Sequence, residues 1–442
     1  MGADGIISVA DKLKNLRQKY NVKQEEVSGN DVTRNLISQI EHGKANLTKS
    51  VAETVIKNLK NICTKRHIRI DETVEYLMED EKSQADKMLD KYIAELKDLS
   101  FYKDDSFTYK LNQVENFMAN WDLLDKKIAI FELAGDYFFR NNDLYKSSLY
   151  YEKAKALINS NVHNEKLVSI FRKLSMVYYY MNKYEEDIKC CDFALKRFPN
   201  MSKEYYSIFI FNSSLCYIEI KEYRIALLQL KKIESIVKEI NMDKYYELLE
   251  QEGVCFQYLK EYDKSLSIFN QVINSLSKDN HESYIIALFN LVDTYIKLDN
   301  VDMARKYLKD ISENIDGISQ SSKRVSQIYC ETAKLCKKLN DLKLAKAYFL
   351  KSLDYAKLYN QYSIANNTLS DLFDIYVIDE DDKRINEIKD IFLSVIGKGE
   401  KINLQFINKL IDYYLDKKDY ESLREIHNYM KSYVRERGCC VS

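Results

Sequence analysis

A fixed repeat period restricts the fold of this chain more than any other feature of its sequence. Similar segments follow one another from about residue 128 to residue 434, for example LAGDYFFRNNDLYKSSLYYEKAKAL from Leu133 and EGVCFQYLKEYDKSLSIFNQVI from Glu252. A small or apolar residue stands in each segment, three positions before a site that is usually aromatic. These residues are Gly135, Ser175, Ser214, Gly253, Val292, Ala333, Phe373 and Ile411, at steps of 40, 39, 39, 39, 41, 40 and 38. Such a period is typical of stacked supersecondary units.

Each segment predicts a pair of amphipathic helices. Apolar residues recur at i, i+3, i+4 and i+7 on both sides of a short break such as NND, NKY, KEY or LDN. Small residues recur in the second helix, where two helices must approach closely: Ser147, Ala226, Ser265, Ala304 and Ala345. The segment from Leu372 follows the pattern only loosely. One pair cannot bury its apolar face alone, so we expect an all-α solenoid of stacked pairs.

The order of residue types within a segment resembles the tetratricopeptide repeat. That order is a small residue, an aromatic residue three positions later, a second aromatic residue near the turn, and Ala in the second helix. The period exceeds the usual length of about 34 residues, so the helices should be longer by roughly one turn in total. The resemblance implies a right-handed superhelix whose concave inner surface binds extended partners.

The N-terminal segment predicts a helix, a tight turn and a second helix. A short helix opens near Gln24, and the sequence Gly29-Asn30-Asp31 that follows is typical of a turn. Thr33 can cap a helix that runs from Arg34 to about Glu41, and Gly43 is suited to end it. In DNA-binding proteins with this arrangement, the second helix lies in the major groove.

The residue types on this second helix suit base recognition. Arg34 can pair with guanine, Asn35 and Gln39 can pair with adenine, and Ser38 shares their polar face. Residues 1–66 contain 12 Lys and Arg against 7 Asp and Glu, whereas the remainder contains 55 against 61. The charge therefore indicates a local nucleic-acid contact near the N-terminus.

The segments LKNLRQKYNVKQEEVS and VTRNLISQIEHGK resemble the Xre/Cro–repressor helix-turn-helix family. The resemblance implies that Gln24 contacts a phosphate and that Arg34 begins the base-reading half of the recognition helix. Lys44, just beyond that helix, completes the expected DNA-binding set. Arg17 and Glu41 should form an internal ion pair. The turn is one residue shorter than is usual in that family.

We therefore expect three parts in the chain. Residues 1–66 form the helix-turn-helix domain, residues 67–90 form a linker helix, and residues 91–442 form the repeat domain for peptide binding and dimerisation. Residues 88–120 lack repeat landmarks, so they are expected to cap the solenoid.

One position of the first helices carries a row of polar side chains. It lies two residues before the small residue and contains Leu133, Lys173, Asn212, Gln251, Asn290 and Glu331. In tetratricopeptide proteins this position faces the concave side, and a carboxamide there can match both the donor and the acceptor of a peptide unit. Neighbouring candidates are Arg172, Gln257 and Asp293.

These residues predict a ligand-binding row whose length can be estimated. Three amide rungs would span an extended peptide of roughly six to nine residues. Lys173 at one end would pair with the peptide carboxylate, and Glu331 at the other end would pair with its amine.

The domain order and the long period together resemble the RRNPP family of Gram-positive bacteria. The resemblance implies a cytoplasmic homodimeric transcription regulator that binds operator DNA and is switched by a short imported signalling peptide. Whether the peptide activates or inhibits DNA binding stays open. Two alternatives also stay open: a DNA-binding regulator whose repeats bind a protein partner, and a repeat-domain effector of a phosphorelay.

Other functional classes have no support in the sequence. It contains no glycine-rich phosphate loop, nucleophile elbow or pair of catalytic carboxylates, so we expect no enzyme activity and no cofactor. Its 9 Cys include no C-x-x-C pair and its 5 His are scattered, so neither a metal site nor a disulfide framework is expected. The first twenty residues lack the apolar stretch of a signal peptide, and no run of about 18 apolar residues exists.

Overall fold

The structure is a computed structural model that describes residues 5–101, 105–157, 165–277, 281–395 and 403–436. Within these ranges the chain forms helices and turns and no strand, which confirms the all-α class. The chain divides into two compact units, Met1–Cys216 and Tyr217–Ser442.

The first five helices of the chain share their own apolar core. They are α1 (Val9–Lys19), α2 (Gln24–Ser28), α3 (Arg34–Glu41), α4 (Lys49–Lys65) and α5 (Val74–Met78). Their core includes Leu13, Ile37, Leu59 and Leu77, all of which are almost completely buried. The helix that was expected to open near Gln24 and the helix that was expected from Arg34 to Glu41 are both present, and Thr33 caps the second.

The segment over residues 67–90 differs from the single linker helix that the sequence predicted. It contains α5 and the first half of α6 (Glu81–Leu99). The reason is Leu77, which completes the apolar core of the first five helices. Helix α5 is held at its C-terminal end by the buried Lys12, whose Nζ donates to the backbone oxygens of Tyr76 and Glu79 at 3.0 and 2.9 Å.

Two helices precede the repeats. Helix α6 and α7 (Asp105–Met118) pack on each other, and α6 also packs on the first repeat helix. Their buried residues Leu89, Leu96 and Phe107 belong to the same apolar cluster as the first repeats.

Within the described ranges eight helix pairs follow, one for each predicted segment, including the loosely fitting one from Leu372. The first helices are α8 (Leu124–Arg140), α10 (Glu165–Tyr180), α12 (Lys203–Glu219), α14 (Met242–Tyr258), α16 (His281–Lys297), α18 (Val325–Lys338), α20 (Tyr362–Ile378) and α22 (Leu404–Asp416). The second helices are α9 (Leu144–Ala156), α11 (Tyr184–Arg197), α13 (Tyr223–Ile240), α15 (Tyr262–Ser275), α17 (Val301–Asn314), α19 (Leu342–Leu358), α21 (Asp382–Val395) and α23 (Tyr420–Glu436). A one-turn 3-10 helix, Ile315–Gly317, follows α17.

The turn within each pair is made in the same way without glycine. A single residue with positive φ follows each first helix: Asn142, Asn182, Lys221, Lys260, Asp299, Asn340, Glu380 and Lys418. The next residue then donates its N–H to a carbonyl five residues back, as Asp143 does to Phe138 at 2.9 Å and Glu261 does to Phe256 at 2.9 Å. This closure satisfies carbonyls that a helix end leaves open, and it aims the second helix back along the first.

In two of the pairs, close contacts between the helices require a glycine in the first helix. A Cβ on Gly135 would lie 2.4 Å from the ring of Tyr151, and a Cβ on Gly253 would lie 2.4 Å from the ring of Phe269. The hydroxyl of Ser265 donates to the carbonyl of Gly253 at 2.9 Å, so polar contacts reinforce the same approach. The small residues in the repeat pattern therefore leave room for large side chains of the paired helix.

Candidate functional site

Two regions hold the residues that the sequence singled out: the α2–α3 face near the N-terminus, and one face of the first helices of the repeats. The α2–α3 turn is shaped by Gly29, which has a φ of +60°. A Cβ on Gly29 would lie 2.5 Å from Nδ2 of Asn58, and that nitrogen donates to the carbonyl of Val27 at 3.0 Å. The glycine thus provides both the left-handed backbone and the space that this turn needs.

Glu41 connects α1, α2 and α3. Its carboxylate accepts from Nε and Nη2 of Arg17 at 2.8 and 3.1 Å and from Nε2 of Gln24 at 2.9 Å. Burial alone would raise the pKa of the Glu41 carboxyl, but the hydrogen bonds from Arg17 and Gln24 outweigh that effect and lower it. The structure therefore contains the expected Arg17–Glu41 ion pair, and it places Gln24 in the same network.

The other residues predicted to bind DNA lie on α3 or just beyond its end. Arg34, Asn35, Gln39 and Lys44 are exposed, whereas Ser38 is half-buried. Arg34 donates from Nη1 to the carboxylate of Glu25 at 2.8 Å, and both side chains are more than half exposed. Such a surface pair contributes only about 0–1 kcal/mol, so Arg34 can exchange Glu25 for another acceptor at small cost.

In the repeats, the row two residues before the small residue lies on one half-buried face of the first helices. Every member is partly exposed: Leu133, Lys173, Asn212, Gln251, Asn290, Glu331, Asp371 and Lys409. We call this face the first-helix face, and some of its side chains, such as Lys173 and Asn212, bond to the first helix of the neighbouring pair.

In the first unit, this face carries a lysine paired with two carboxylates and, on the next first helix, the amide of Asn212. Nζ of Lys173 donates to Glu132 at 2.7 Å and to Asp136 at 2.8 Å, which joins α10 to α8. The Lys173 side chain is only 18% exposed, so it is already committed to two carboxylates. Asn212 on α12 donates from Nδ2 to Oγ of Ser175 on α10 at 3.1 Å.

In the second unit, the C-terminal halves of α14, α16 and α18 are joined by a chain of polar contacts. Gln257 donates to the hydroxyl of Thr294 at 2.8 Å and accepts from Nζ of Lys297 at 2.7 Å. Asp293 pairs with Lys297 and, across to α18, with Lys338. Burial would raise the pKa of Asp293, but the hydrogen bonds from these two lysines outweigh burial and lower it.

The residues predicted to contact the peptide differ in whether they already have a partner within the protein. Among the residues that the structure describes, the side chains of Arg172, Gln251 and Asn290 are half-buried and have no hydrogen-bond or ion-pair partner. Gln257 is buried and fully used, and Glu331 pairs with Lys334 at 2.9 Å. The available amides of the second unit are therefore Gln251 and Asn290, because half-burial without a partner leaves their hydrogen-bonding capacity open.

A second charged group on the first-helix face was not identified from the sequence. Nζ of Lys337 lies 3.0 Å from Asp371 and 3.2 Å from Asp374, and Lys409 donates to Asp374 at 2.7 Å. Asp371 and Lys409 stand two residues before Phe373 and Ile411. Both therefore occupy, in the last two repeats, the same position as Lys173 and Asn212, and the repeat period is the signal that identifies them.

Metal-binding groups, disulfides and membrane-spanning helices are all absent from the part of the chain that the structure describes. No group of His, Cys, Asp and Glu that could hold a metal ion occurs in the described ranges. The seven cysteines within those ranges are free and buried, while Cys439 and Cys440 lie outside them. None of the described helices combines the length and the apolar character needed to cross a bilayer.

Comparisons with known proteins agree with this architecture. No family model matches the chain. Over 182 residues it is 28% identical to response regulator aspartate phosphatase I of Bacillus subtilis (strain 168). That alignment covers 40% of this chain and 46% of the relative, so it spans less than half of either protein.

Two solved structures resemble most of the chain. The apo form of RapI matches with a TM-score of 0.51 and 20% identity, covering 89% of this chain and 99% of RapI. The apo form of the quorum sensor NprR from B. thuringiensis matches with a TM-score of 0.50 and 12% identity, covering 88% of this chain and all of that one. The fold is therefore that of a helical-repeat protein of the tetratricopeptide type, which confirms the resemblance seen in the order of residue types.

Proposed function

We propose that this protein is a transcription regulator that binds operator DNA through α3 and is controlled by a short signalling peptide bound on the first-helix face. The observation that carries the proposal is the pair of half-buried amides, Gln251 and Asn290, without intramolecular partners in the described structure. They lie at the repeat position that the sequence singled out for peptide backbone recognition. The fold shared with the quorum sensor NprR supports a peptide-sensing role.

The DNA part of the proposal rests on α3 and its surroundings. The helix presents Arg34, Asn35 and Gln39 at the surface, while Ile37 and Ile40 anchor its other face in the core. Arg can bind guanine bidentately, and Asn or Gln can bind adenine in the same way. The net positive charge of residues 1–66 adds the general attraction to phosphates that such a contact needs.

DNA binding can be tested with duplexes selected from a random pool by the full-length protein. Replacing Arg34 or Gln39 by Ala should weaken the selected duplex by about 1–3 kcal/mol and leave a scrambled duplex nearly unchanged. Replacing Gln24 by Ala should weaken both duplexes alike, because we assign it to a phosphate, and should leave the salt dependence nearly unchanged, because its amide carries no charge.

Arg69→Ala is the matched control for the charge lost with Arg34. Arg69 is 88% exposed, is paired with Asp71 and lies outside α2 and α3. Equal losses for Arg34→Ala and Arg69→Ala would mean that α3 does not read the bases. A homodimer, which we also propose, should protect two half-sites about one or more helical turns apart in a footprint.

The peptide part of the proposal assigns backbone recognition to the amides. Asn212 serves in the first unit, and Gln251 and Asn290 serve in the second. Arg172 completes the set as a charged neighbour, whereas Asp293 is already paired with Lys297 and Lys338. Lys173, Glu331 and Gln257 have intramolecular partners, so no contact to the ends of the peptide is assigned to them.

Peptide binding can be tested with a pool of synthetic peptides of about seven residues, a length within the range expected from the sequence. Peptides retained by the full-length protein are identified and measured by calorimetry. Gln251→Ala and Asn290→Ala should each reduce affinity by up to about tenfold, since one hydrogen bond contributes about 0.5–1.5 kcal/mol. DNA binding by the peptide-free protein should not change.

Asn270→Ala is the control for these amide variants. Asn270 lies on the second helix α15 and already donates to the carbonyl of Leu266 at 2.8 Å. Its loss should leave peptide affinity unchanged. If the double variant of Gln251 and Asn290 retains full affinity, the amides are not the binding site.

A second candidate function is favoured by the sequence match to response regulator aspartate phosphatase I. In this reading the repeats act on a phosphorylated response regulator, and the N-terminal helices contact that protein instead of DNA. Incubation with response regulators phosphorylated by acetyl phosphate tests it. Faster loss of phosphoaspartate together with no enrichment of any duplex would favour this candidate over the DNA-binding regulator.

A further inference from the structure

One pair of repeat helices contains a carboxylate where five other pairs contain a small residue. Asp187 on α11 stands twelve residues after Ser175, and the same spacing in other pairs gives Ser147, Ala226, Ser265, Ala304 and Ala345. The Asp187 side chain is completely buried. A buried carboxylate costs free energy unless donors surround it, so its partners indicate what it does.

Both carboxylate oxygens of Asp187 accept from thiols. Sγ of Cys191 donates to Oδ1 at 3.3 Å, and Sγ of Cys216 donates to Oδ2 at 3.1 Å. Cys191 also lies 3.3 Å from Oγ of Ser175. Because the single proton of the Cys191 thiol is directed at Asp187, its sulfur accepts from the Ser175 hydroxyl.

The chain of hydrogen bonds continues to the first-helix face. With its proton directed inward, the Ser175 oxygen accepts from Nδ2 of Asn212 at 3.1 Å. Each link then has one direction, from Asn212 through Ser175 and Cys191 to Asp187. An ionised carboxylate can only accept hydrogen bonds, so Asp187 sets the direction of every hydrogen bond in this series.

We infer that Ser175 and Asp187 are positioning residues that hold the Asn212 amide with Nδ2 turned inward, so that Oδ1 is presented as an acceptor for a backbone N–H of the bound peptide. The inference rests on the proposed peptide-binding function and deepens it. It separates Asn212 from the other rungs: Gln251 and Asn290 have no such support, and Ser214, the equivalent of Ser175 one repeat later, donates to Ile210 of its own helix at 2.7 Å.

Protonation of Asp187 would disturb this order. Burial raises the pKa of the Asp187 carboxyl, and the polar groups of Ser175, Cys216 and Cys191 around it oppose part of that rise. The groups that face the carboxyl are Ser175 from α10, Cys191 from α11 and Cys216 from α12. A protonated Asp187 can donate, which allows Ser175 to donate to Asn212 and the amide to turn over.

Three variants test the inference in the full-length protein. Ser175→Ala removes the hydroxyl that accepts from Asn212. Asp187→Ala removes the carboxylate that is the last acceptor in the series of hydrogen bonds. Ser214→Ala is the matched control. All three place a residue where other repeats already contain a small one, such as Gly253 for Ser175 and Ala226 for Asp187, so folding is expected to persist.

The first measurement uses a peptide recovered from the synthetic pool. Ser175→Ala and Asp187→Ala should weaken it by about three- to tenfold, and Ser214→Ala by less than about twofold. Adding Ser175→Ala to Asn212→Ala should cause no further loss, because both act through one amide. Wild-type affinity should fall on acidification, and Asp187→Ala should remove that dependence. Equal thermal stability of Asp187→Ala and wild type would separate positioning from a purely structural role.

The second measurement needs no peptide. The side-chain amide signals of Asn212, identified by their absence in Asn212→Ala, should exchange slowly with solvent in the wild type and much faster in Ser175→Ala. Unchanged exchange in Ser175→Ala, or additive losses in the double variant, would overturn the inference. If the pool yields no peptide while exchange responds as expected, the proposed peptide function fails and the orientation of Asn212 stands.

Discussion

The contact between Gly253 and Phe269 allows a stability prediction whose size follows from the structure. A Cβ on Gly253 would lie 2.4, 2.8 and 2.9 Å from three ring carbons of Phe269, whereas ordinary contacts begin near 3.4 Å. The ring must therefore retreat by about 1 Å in Gly253→Ala. Phe269 is 1% exposed and belongs to the apolar core, so the retreat must displace other packed side chains.

The expected cost is the difference between two effects. Overpacking a dense core costs typically about 1–3 kcal/mol. Replacing Gly by Ala inside a helix contributes about 1 kcal/mol in the opposite direction. Gly253→Ala should therefore destabilise α14 and α15 by about 1 kcal/mol, even though Ala is the better helix former.

A second substitution tests the cause. Leu occupies the position of Phe269 in two other pairs, where Leu230 follows Ser214 and Leu308 follows Val292 by the same sixteen residues. Phe269→Leu alone leaves space and should also destabilise. The double variant Gly253→Ala, Phe269→Leu should lose less than the sum of the single losses, because the new methyl group fills space that the ring vacated.

Amide hydrogen exchange is the suitable assay, because a chain of two compact units does not guarantee a single unfolding transition. Protection of α14 and α15 should fall in each single variant and recover in part in the double variant. If Gly253→Ala increases protection, or if the two losses add, the close approach does not explain the glycine.

Other substitutions test the N-terminal helices and the last repeats. Glu41→Gln should destabilise α1–α4 by about 2–4 kcal/mol, because it leaves Arg17 without its carboxylate. The pKa of Glu41 is lower in the folded protein. Its contribution to the free energy of unfolding is therefore present above its unfolded pKa near 4.3 and is lost as the pH falls through the lower folded value. Denaturation at several pH values should show this loss in the wild type and not in Glu41→Gln. Thr33→Ala should cost about 1 kcal/mol, seen as faster amide exchange in α3, because Thr33 Oγ1 caps the helix by accepting from the N–H of Leu36. Ser422→Ala should reduce thermal stability slightly, since it removes one partner of the buried Lys389 and leaves Glu425 and Asp390 as the others; an unchanged melting temperature would mean that the serine contact is dispensable.

Much of the fold follows from local sequence information. A period near 40 residues, apolar residues at helical spacing and one small residue in each segment predicted paired helices at the positions where they occur. Even the loosely fitting segment from Leu372 forms such a pair, as α20 and α21. Helical periodicity is a property of neighbours along the chain, so the sequence displays it directly. The helix after Thr33 was predictable for the same reason, since its cap and its apolar stripe lie within one short segment.

The state of each polar side chain on the first-helix face was decided by tertiary structure. Lys173, Asn212, Gln251 and Asn290 occupy one repeat position, yet Lys173 is bound by two carboxylates, Asn212 is held by Ser175, and the other two have no partner in the described ranges. The partners lie on the neighbouring first helix, 37 residues away for Asn212 and 41 for Glu132 with Lys173. A periodic pattern specifies which face a side chain occupies. Only the packing of neighbouring helices determines whether a group that far along the chain reaches its donors and acceptors, and so which amides remain available to a ligand.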